Sequence, residues 1–182
     1  IKIMTTLTKT TWGIDQAHSE ITFKVKHLMI SNVKGNFAKF EGTVQSDDNN
    51  FSNANINFSM DASSITTGDT QRDTHLKSGD FFDAENHPSI SFKSESFSKT
   101  GDDIYALNGQ LTMKGVSKPV KLNVEFGGMM KDPWGQEKAG FTLSGKINRK
   151  DWGLNWNTAL ETGGVLVSEE VQIAAEIQLV KK

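Results

Sequence analysis

Any chemistry in this chain has to come from a few scattered residues. Its four histidines, His18, His27, His75 and His87, are the obvious metal ligands, but each lies in a different segment and no cysteine is present to complete a zinc site. No metal and no cofactor are therefore expected. Asp80, Asp83 and Glu85 are close enough in sequence to suggest an acid/base carboxylate pair, yet carboxylates bunched beside a helix end are ordinarily solvated or salt-bridged. The chain has no nucleophile elbow, zinc-protease motif, phosphate loop or dinucleotide fingerprint. No catalytic residue is assigned. Asp47-Asp48-Asn49-Asn50 carries oxygens that suit calcium, but it lacks the glycine and distal glutamate of an EF-hand and reads as a hairpin tip.

The remaining polar candidates point to binding. Thr70–Ser78 is the one good helical stretch, with Thr70 and Asp73 spaced as a capping box and Gly79 as its stop. Arg72, His75, Leu76 and Gly79 share a face of it. If Leu76 turns that face inward, Arg72 and His75 either meet an anionic or carbonyl head group or hold the helix against Asp80 or Asp83. Phe81-Phe82 would seal one end of the fold or line a portal. Arg149 continues an inward-facing phase, so either its charge lies inside the rim or the strand ends just before it; a buried guanidinium needs a partner, for which a structural ion pair is the expectation.

These residues need a scaffold, and eight runs of apolar/polar alternation supply it, because period two puts one set of side chains on a single face of a strand. The inward sets are Ile21, Phe23 and Val25; Ala38, Phe40, Gly42 and Val44; Ala54, Ile56, Phe58 and Met60; Ile90 and Phe92. They continue as Leu107, Gly109, Leu111 and Met113; Val120, Leu122, Val124 and Phe126; Phe141, Leu143, Gly145 and Ile147; and Val171, Ile173, Ala175, Ile177 and Leu179. Turn clusters separate them at 47–50, 100–103, 114–119 and 131–135, and the helix falls between the third and fourth. Eight such strands form either a closed barrel or a two-sheet sandwich. In the barrel, the small residues Ala38, Gly42, Ala54, Gly109, Gly145 and Ala175 leave room for one ligand.

Composition narrows the partners. The formal net charge is -2 and there is no basic stripe, which argues against nucleic acid. No stretch approaches the ~20 apolar residues of a spanning helix, so stable membrane insertion is not expected. The N-terminus lacks the parts of a secretory signal. A cytoplasmic location is the reading of the chain as it stands, and a periplasmic one if the N-terminus is already processed.

Four segments resemble the YceI family of bacterial lipid-binding proteins, over about Trp12 to Leu179. They are Ile14-Asp15 with His18 through Leu28; Arg72 through Asp83 followed by Pro88; Gly109 through Val120; and Asn148 through Leu154. The resemblance implies an all-β, eight-stranded antiparallel lipocalin-like barrel whose lumen takes a polyprenoid such as an isoprenoid quinone or polyprenyl phosphate, or a fatty amide. It also implies a homodimer. Members are usually exported, and the missing signal departs from that pattern.

The expectation is one barrel domain over residues 12–180 after a flexible segment 1–11, giving non-catalytic binding, transport or storage of a long isoprenoid or acyl lipid. Its lumen would be lined by Phe23, Val25, Phe40, Ile56, Phe58, Met60, Ile90, Phe92, Leu107, Leu111, Met113, Leu122, Val124, Phe141, Leu143, Ile147, Ile173 and Ala175. Its mouth would carry Arg72, His75, Phe81, Phe82 and Arg149. The alternatives are a structural or stress-related barrel with a self-filled core, and an enzyme using His75 with Asp80 or Asp83 on a lipid head group.

Overall fold

Eleven strands form one antiparallel sheet in the computed structural model, which describes residues 9–158, 160, 164 and 166–182. In chain order they are β1 (Lys9–Ile14), β2 (Glu20–His27), β3 (Ser31–Phe37), β4 (Phe40–Asp47), β5 (Asn50–Asp61), β6 (Ile65–Thr66), helix α1 (Thr70–Lys77), β7 (Ser89–Gly101), β8 (Ile104–Met113), β9 (Val116–Lys131), β10 (Glu137–Asn148) and β11 (Val167–Lys181). The ring β1-β4-β5-β7-β8-β9-β10-β11 closes where β11 pairs back onto β1, giving an eight-stranded barrel. Closure leaves no edge in the ring for another chain to pair with.

The three extra strands come from breaks in the chain path. β1 and β2 both pair with β11, at Trp12–Ile14 and at Glu20–His27, with one short 3-10 turn between them. β3 pairs with β2 where β4 pairs with β1, and β6 pairs with β3 beyond the end of β5. Two sequence expectations change as a result. Lys9–Thr11, placed in a flexible segment 1–11, pair with Thr11 opposite Gln45 and Lys9 opposite Asp47, because the barrel needs a strand on the free edge of β4; residues 1–8 lie outside the described residues. The helix expected between the third and fourth strands follows the sixth.

That helix is also capped differently. Asp69, not Thr70, is the N-cap and accepts from the Arg72 amide at 3.0 Å, while Asp73 accepts from the Thr67 amide and hydroxyl at 2.8 and 2.6 Å. The helix stops at Ser78, in extended conformation, rather than through a left-handed Gly79. The short β-turns are where expected, except that the 114–119 cluster shrinks to Lys114-Gly115, both at positive φ, and Pro119 sits within β9 opposite Gln110.

Most of the inward phase holds. Phe23, Phe58, Phe92, Leu111, Leu122, Leu143 and Ile173 face the lumen, and Phe40 lies opposite Met60 on the same face. Ala38 is the exception: it is exposed in the two-residue bend between β3 and β4.

Candidate lipid site

One end of the barrel is plugged by aromatic rings. Trp12, fully buried, lies 5.2 Å from Phe51, and Phe51 meets Phe141 edge-on at 5.0 Å and Phe126 at 5.7 Å. Phe97 stacks on Tyr105 at 4.6 Å. Aromatic pairs of this kind contribute about 0.5–1.5 kcal/mol each beyond area burial. The Trp12 indole N–H has to be satisfied at that depth and donates to Ser46 Oγ at 2.9 Å.

Above the plug lies a cavity of about 560 Å³, lined almost wholly by apolar side chains. Of the sequence-derived lumen residues, Phe23, Val25, Ile56, Phe58, Met60, Phe92, Leu107, Leu111, Met113, Leu122, Val124, Phe141, Leu143, Ile147, Ile173 and Ala175 line it. Phe40 and Ile90 do not. They are opposite Met60 on either side, buried in the wall beside it, and Met60 presents itself to the open space instead.

The glycines expected to make that space do something else. A Cβ on Gly109 would collide with the ring of Phe92 and the carbonyl of Lys93; one on Gly145 would come within 2.5 Å of Leu122 Cδ2; one on Gly42 would meet the Asn57 carbonyl and Ile14 at 2.9 Å. The protein's own side chains lean across these strand positions. Ala175, by contrast, does line the void.

The other end is the mouth, and the Lys, Arg and His residues of the lining are all there: Lys26, His27, Arg72, His75 and Arg149, with no Asp or Glu among the described lining residues. Arg149 is 4% exposed, yet its partner is not the acid that was expected. Nε donates to Ser168 O at 2.9 Å, Nη1 to Leu154 O at 2.6 Å and Trp156 O at 2.9 Å, and Nη2 to Val167 O at 3.3 Å. Four of its five N–H groups thus hold Leu154, Trp156, Val167 and Ser168 against the barrel. Burial lowers its pKa from the usual value, with Glu169 acting the other way, and a guanidinium stays charged regardless.

His75 bonds Asp80 at 2.9 Å and sits edge-on to Phe81 at 5.1 Å and to Trp156 at 4.6 Å. Asp83 instead accepts from Asn86. Arg72 folds back onto Thr67, donating to its hydroxyl at 2.7 Å and its carbonyl at 2.9 Å. Phe81 lies 6.0 Å below the Arg149 guanidinium and Phe82 packs 5.9 Å from Phe37, so the Phe-Phe pair both lines the cavity and partly closes it. The other histidines are far apart in role: His18 pairs with Asp15, and His87 packs by Gly115.

Several lining residues escaped the sequence reading. Val33 and Phe37 belong to β3, whose alternation with Lys34 and Asn36 was hidden by the bulky turn before it and by Gly35. Phe51 follows a turn directly. Trp156 is in a loop without periodicity, and its one signal was a tryptophan flanked by asparagines, Asn155-Trp156-Asn157.

No described helix is long and apolar enough to cross a membrane. Among solved structures, Burkholderia cenocepacia BcnA superposes with a TM-score of 0.78 at 24% identity, covering 91% of this chain and 98% of that one. A Campylobacter jejuni YceI protein gives a TM-score of 0.74 at 34% identity, covering 92% and 96%. A domain from Saccharophagus degradans, described as polyisoprenoid binding and implicated in plant cell wall breakdown, gives 0.67 at 12% identity, covering 94% and 98%. A UPF0312 protein of Staphylococcus aureus (strain MSSA476) is 40% identical over 170 residues, 93% of this chain and 96% of the relative. The YceI-like domain model matches residues 12–179, and the chain belongs to the YceI family.

Proposed function

We propose that the barrel binds one long apolar lipid without chemistry on it, its tail in the lumen and its head group at the mouth, and so serves transport or storage. The observation that carries this is the cavity of about 560 Å³. An apolar cavity of that size leaves the side chains that line it without packing partners on one side. The apolar lining offers water few partners. A lipid tail answers both, at about 0.8 kcal/mol per buried methylene. The polyisoprenoid binding described for the Saccharophagus degradans domain supports an isoprenoid tail, and Lys26, Arg72 and Arg149 at the mouth support an electron-rich head group, a phosphate or a quinone carbonyl.

Filling of Gly109 and Gly145 by Phe92 and Leu122 favours a core that is partly self-filled, yet it leaves the cavity open. The enzyme alternative has a His75–Asp80 pair, but the neighbouring Ser78 hydroxyl donates to the His75 backbone carbonyl rather than to its ring. A homodimer is part of the proposal and is checked by sedimentation velocity. The main test is native mass spectrometry of the purified protein. A co-purified lipid is expected, and delipidated protein that takes up neither isoprenoid quinone, polyprenyl phosphate nor long-chain amide would end the proposal.

A further inference from the structure

The β2–β3 hairpin ends in an apolar tip that the fold leaves largely exposed, although Met29 Sδ lies beside Gly164. Leu28, Met29 and Ile30 are 40%, 58% and 84% exposed. Leu28 and Met29 have φ of 53° and 61°, a left-handed conformation in which bulky side chains are rare and which asparagine and glycine adopt easily. A turn that needed only to reverse the chain would use those residues. Strain of this kind persists where the side chains have another task.

The sides of the hairpin carry a second anomaly. Beyond Glu20 at its far end, it holds Lys24, Lys26, Lys34 and His27 and no further Asp or Glu as far as Phe37. Lys24 and Lys34 are directly opposite each other across the strands, an arrangement that costs stability. None of these lysines forms an ion pair among the described residues. The nearest acids on the adjoining strand, Glu169 and Glu170, are taken by Lys150 and Lys146 at 2.7 and 3.6 Å. At ~3.3 Å per residue, Lys26 lies about 7 Å and Lys24 and Lys34 about 13 Å behind the tip.

We infer that this hairpin docks the protein on an anionic lipid bilayer, with Leu28, Met29 and Ile30 in the acyl boundary and the lysines among the head groups. An apolar tip backed by basic side chains matches a membrane surface in both layers. Placement agrees, because Val25, Lys26, His27 and Val33 of the same hairpin, and Leu166 whose carbonyl accepts from the Leu28 amide at 2.8 Å, line the cavity mouth. Docking would bring that mouth to the bilayer, where an apolar molecule could pass without crossing water. The inference stands without the cargo proposed above.

The test is co-sedimentation with vesicles of equal parts phosphatidylglycerol and phosphatidylcholine, against phosphatidylcholine alone. Wild type should bind the anionic vesicles and lose binding as salt rises. Ile30→Ser should weaken partitioning about tenfold, and Lys24→Gln with Lys34→Gln about fivefold per lysine. Leu28→Asn with Met29→Gly relaxes the turn, so it should raise Tm while also abolishing binding, which separates docking from misfolding. Wild type remaining in the supernatant, or the tip variants binding as wild type does, would overturn the inference. So would a tip variant that alters the sedimentation coefficient of the protein alone, since the tip would then hold a second copy. Cargo is read separately: docking without lipid uptake refutes the proposed function and spares this inference, and uptake without docking does the reverse.

Discussion

Ala175→Phe should separate a lumen that holds a tail from one that only lacks side chains. Ala175 faces the cavity from β11, opposite Leu143 on one side and Ile21 on the other. The substitution adds six ring carbons, which displace about six methylenes of ligand. At ~0.8 kcal/mol each that is about 5 kcal/mol, or about three orders of magnitude in affinity at 1.4 kcal/mol per tenfold. Because the ring enters open space, stability should fall by less than the ~1–3 kcal/mol of an overpacked core. Gly109→Leu is the control, since its side chain would run into Phe92 and the Lys93 carbonyl; it should cost at least that much stability. The assay is isoprenoid quinone titration by tryptophan fluorescence, with urea unfolding of the same samples. Unchanged affinity in Ala175→Phe, or a stability loss matching that of Gly109→Leu, would refute the reasoning.

Delipidated protein given a ligand at about 100 times its Kd should gain about 2.7 kcal/mol and some 5–10 °C in Tm, read by differential scanning calorimetry. Arg149→Met leaves the carbonyls of Leu154, Trp156, Ser168 and Val167 without their donor, so a loss of at least about 3 kcal/mol is expected in urea unfolding. Asp15 has its pKa held below 3.8 chiefly by its hydrogen bond to Lys138, and also by His18. A depressed carboxylate stabilises above its unfolded pKa and loses that contribution as pH falls through the folded one. Asp15→Asn should therefore cost about 1 kcal/mol at neutral pH, and the gap to wild type should close below pH 3.8. Arg72→Gln with His75→Gln should alter the preference between polyprenyl phosphate and quinone more than the affinity for the tail, as measured by competition.

The long strands were legible in the sequence because inward and outward side chains alternate wherever a strand is long and one face is buried; that alternation suits barrel and sandwich alike, and the resemblance supplied the barrel. Ile56, Phe58 and Met60, or Leu107, Leu111 and Met113, carry that pattern by themselves, and so does the apolar nature of whatever space they enclose. Short or broken strands carry too few residues to show a period, so β1, β3 and β6 emerged only from pairing, and the helix moved in strand order with them. Whether the interior is filled or empty was beyond the sequence. Glycine in the apolar phase looks the same when it makes room and when a neighbour's ring covers it, and only the cross-strand register showed Phe92 over Gly109. Arg149 is the same case at the mouth. Its phase left it either inside the rim or just past the end of the strand, and its partners are backbone carbonyls, which every residue has and no pattern of side chains announces; the fold that gathers Leu154, Trp156, Val167 and Ser168 around it decided them.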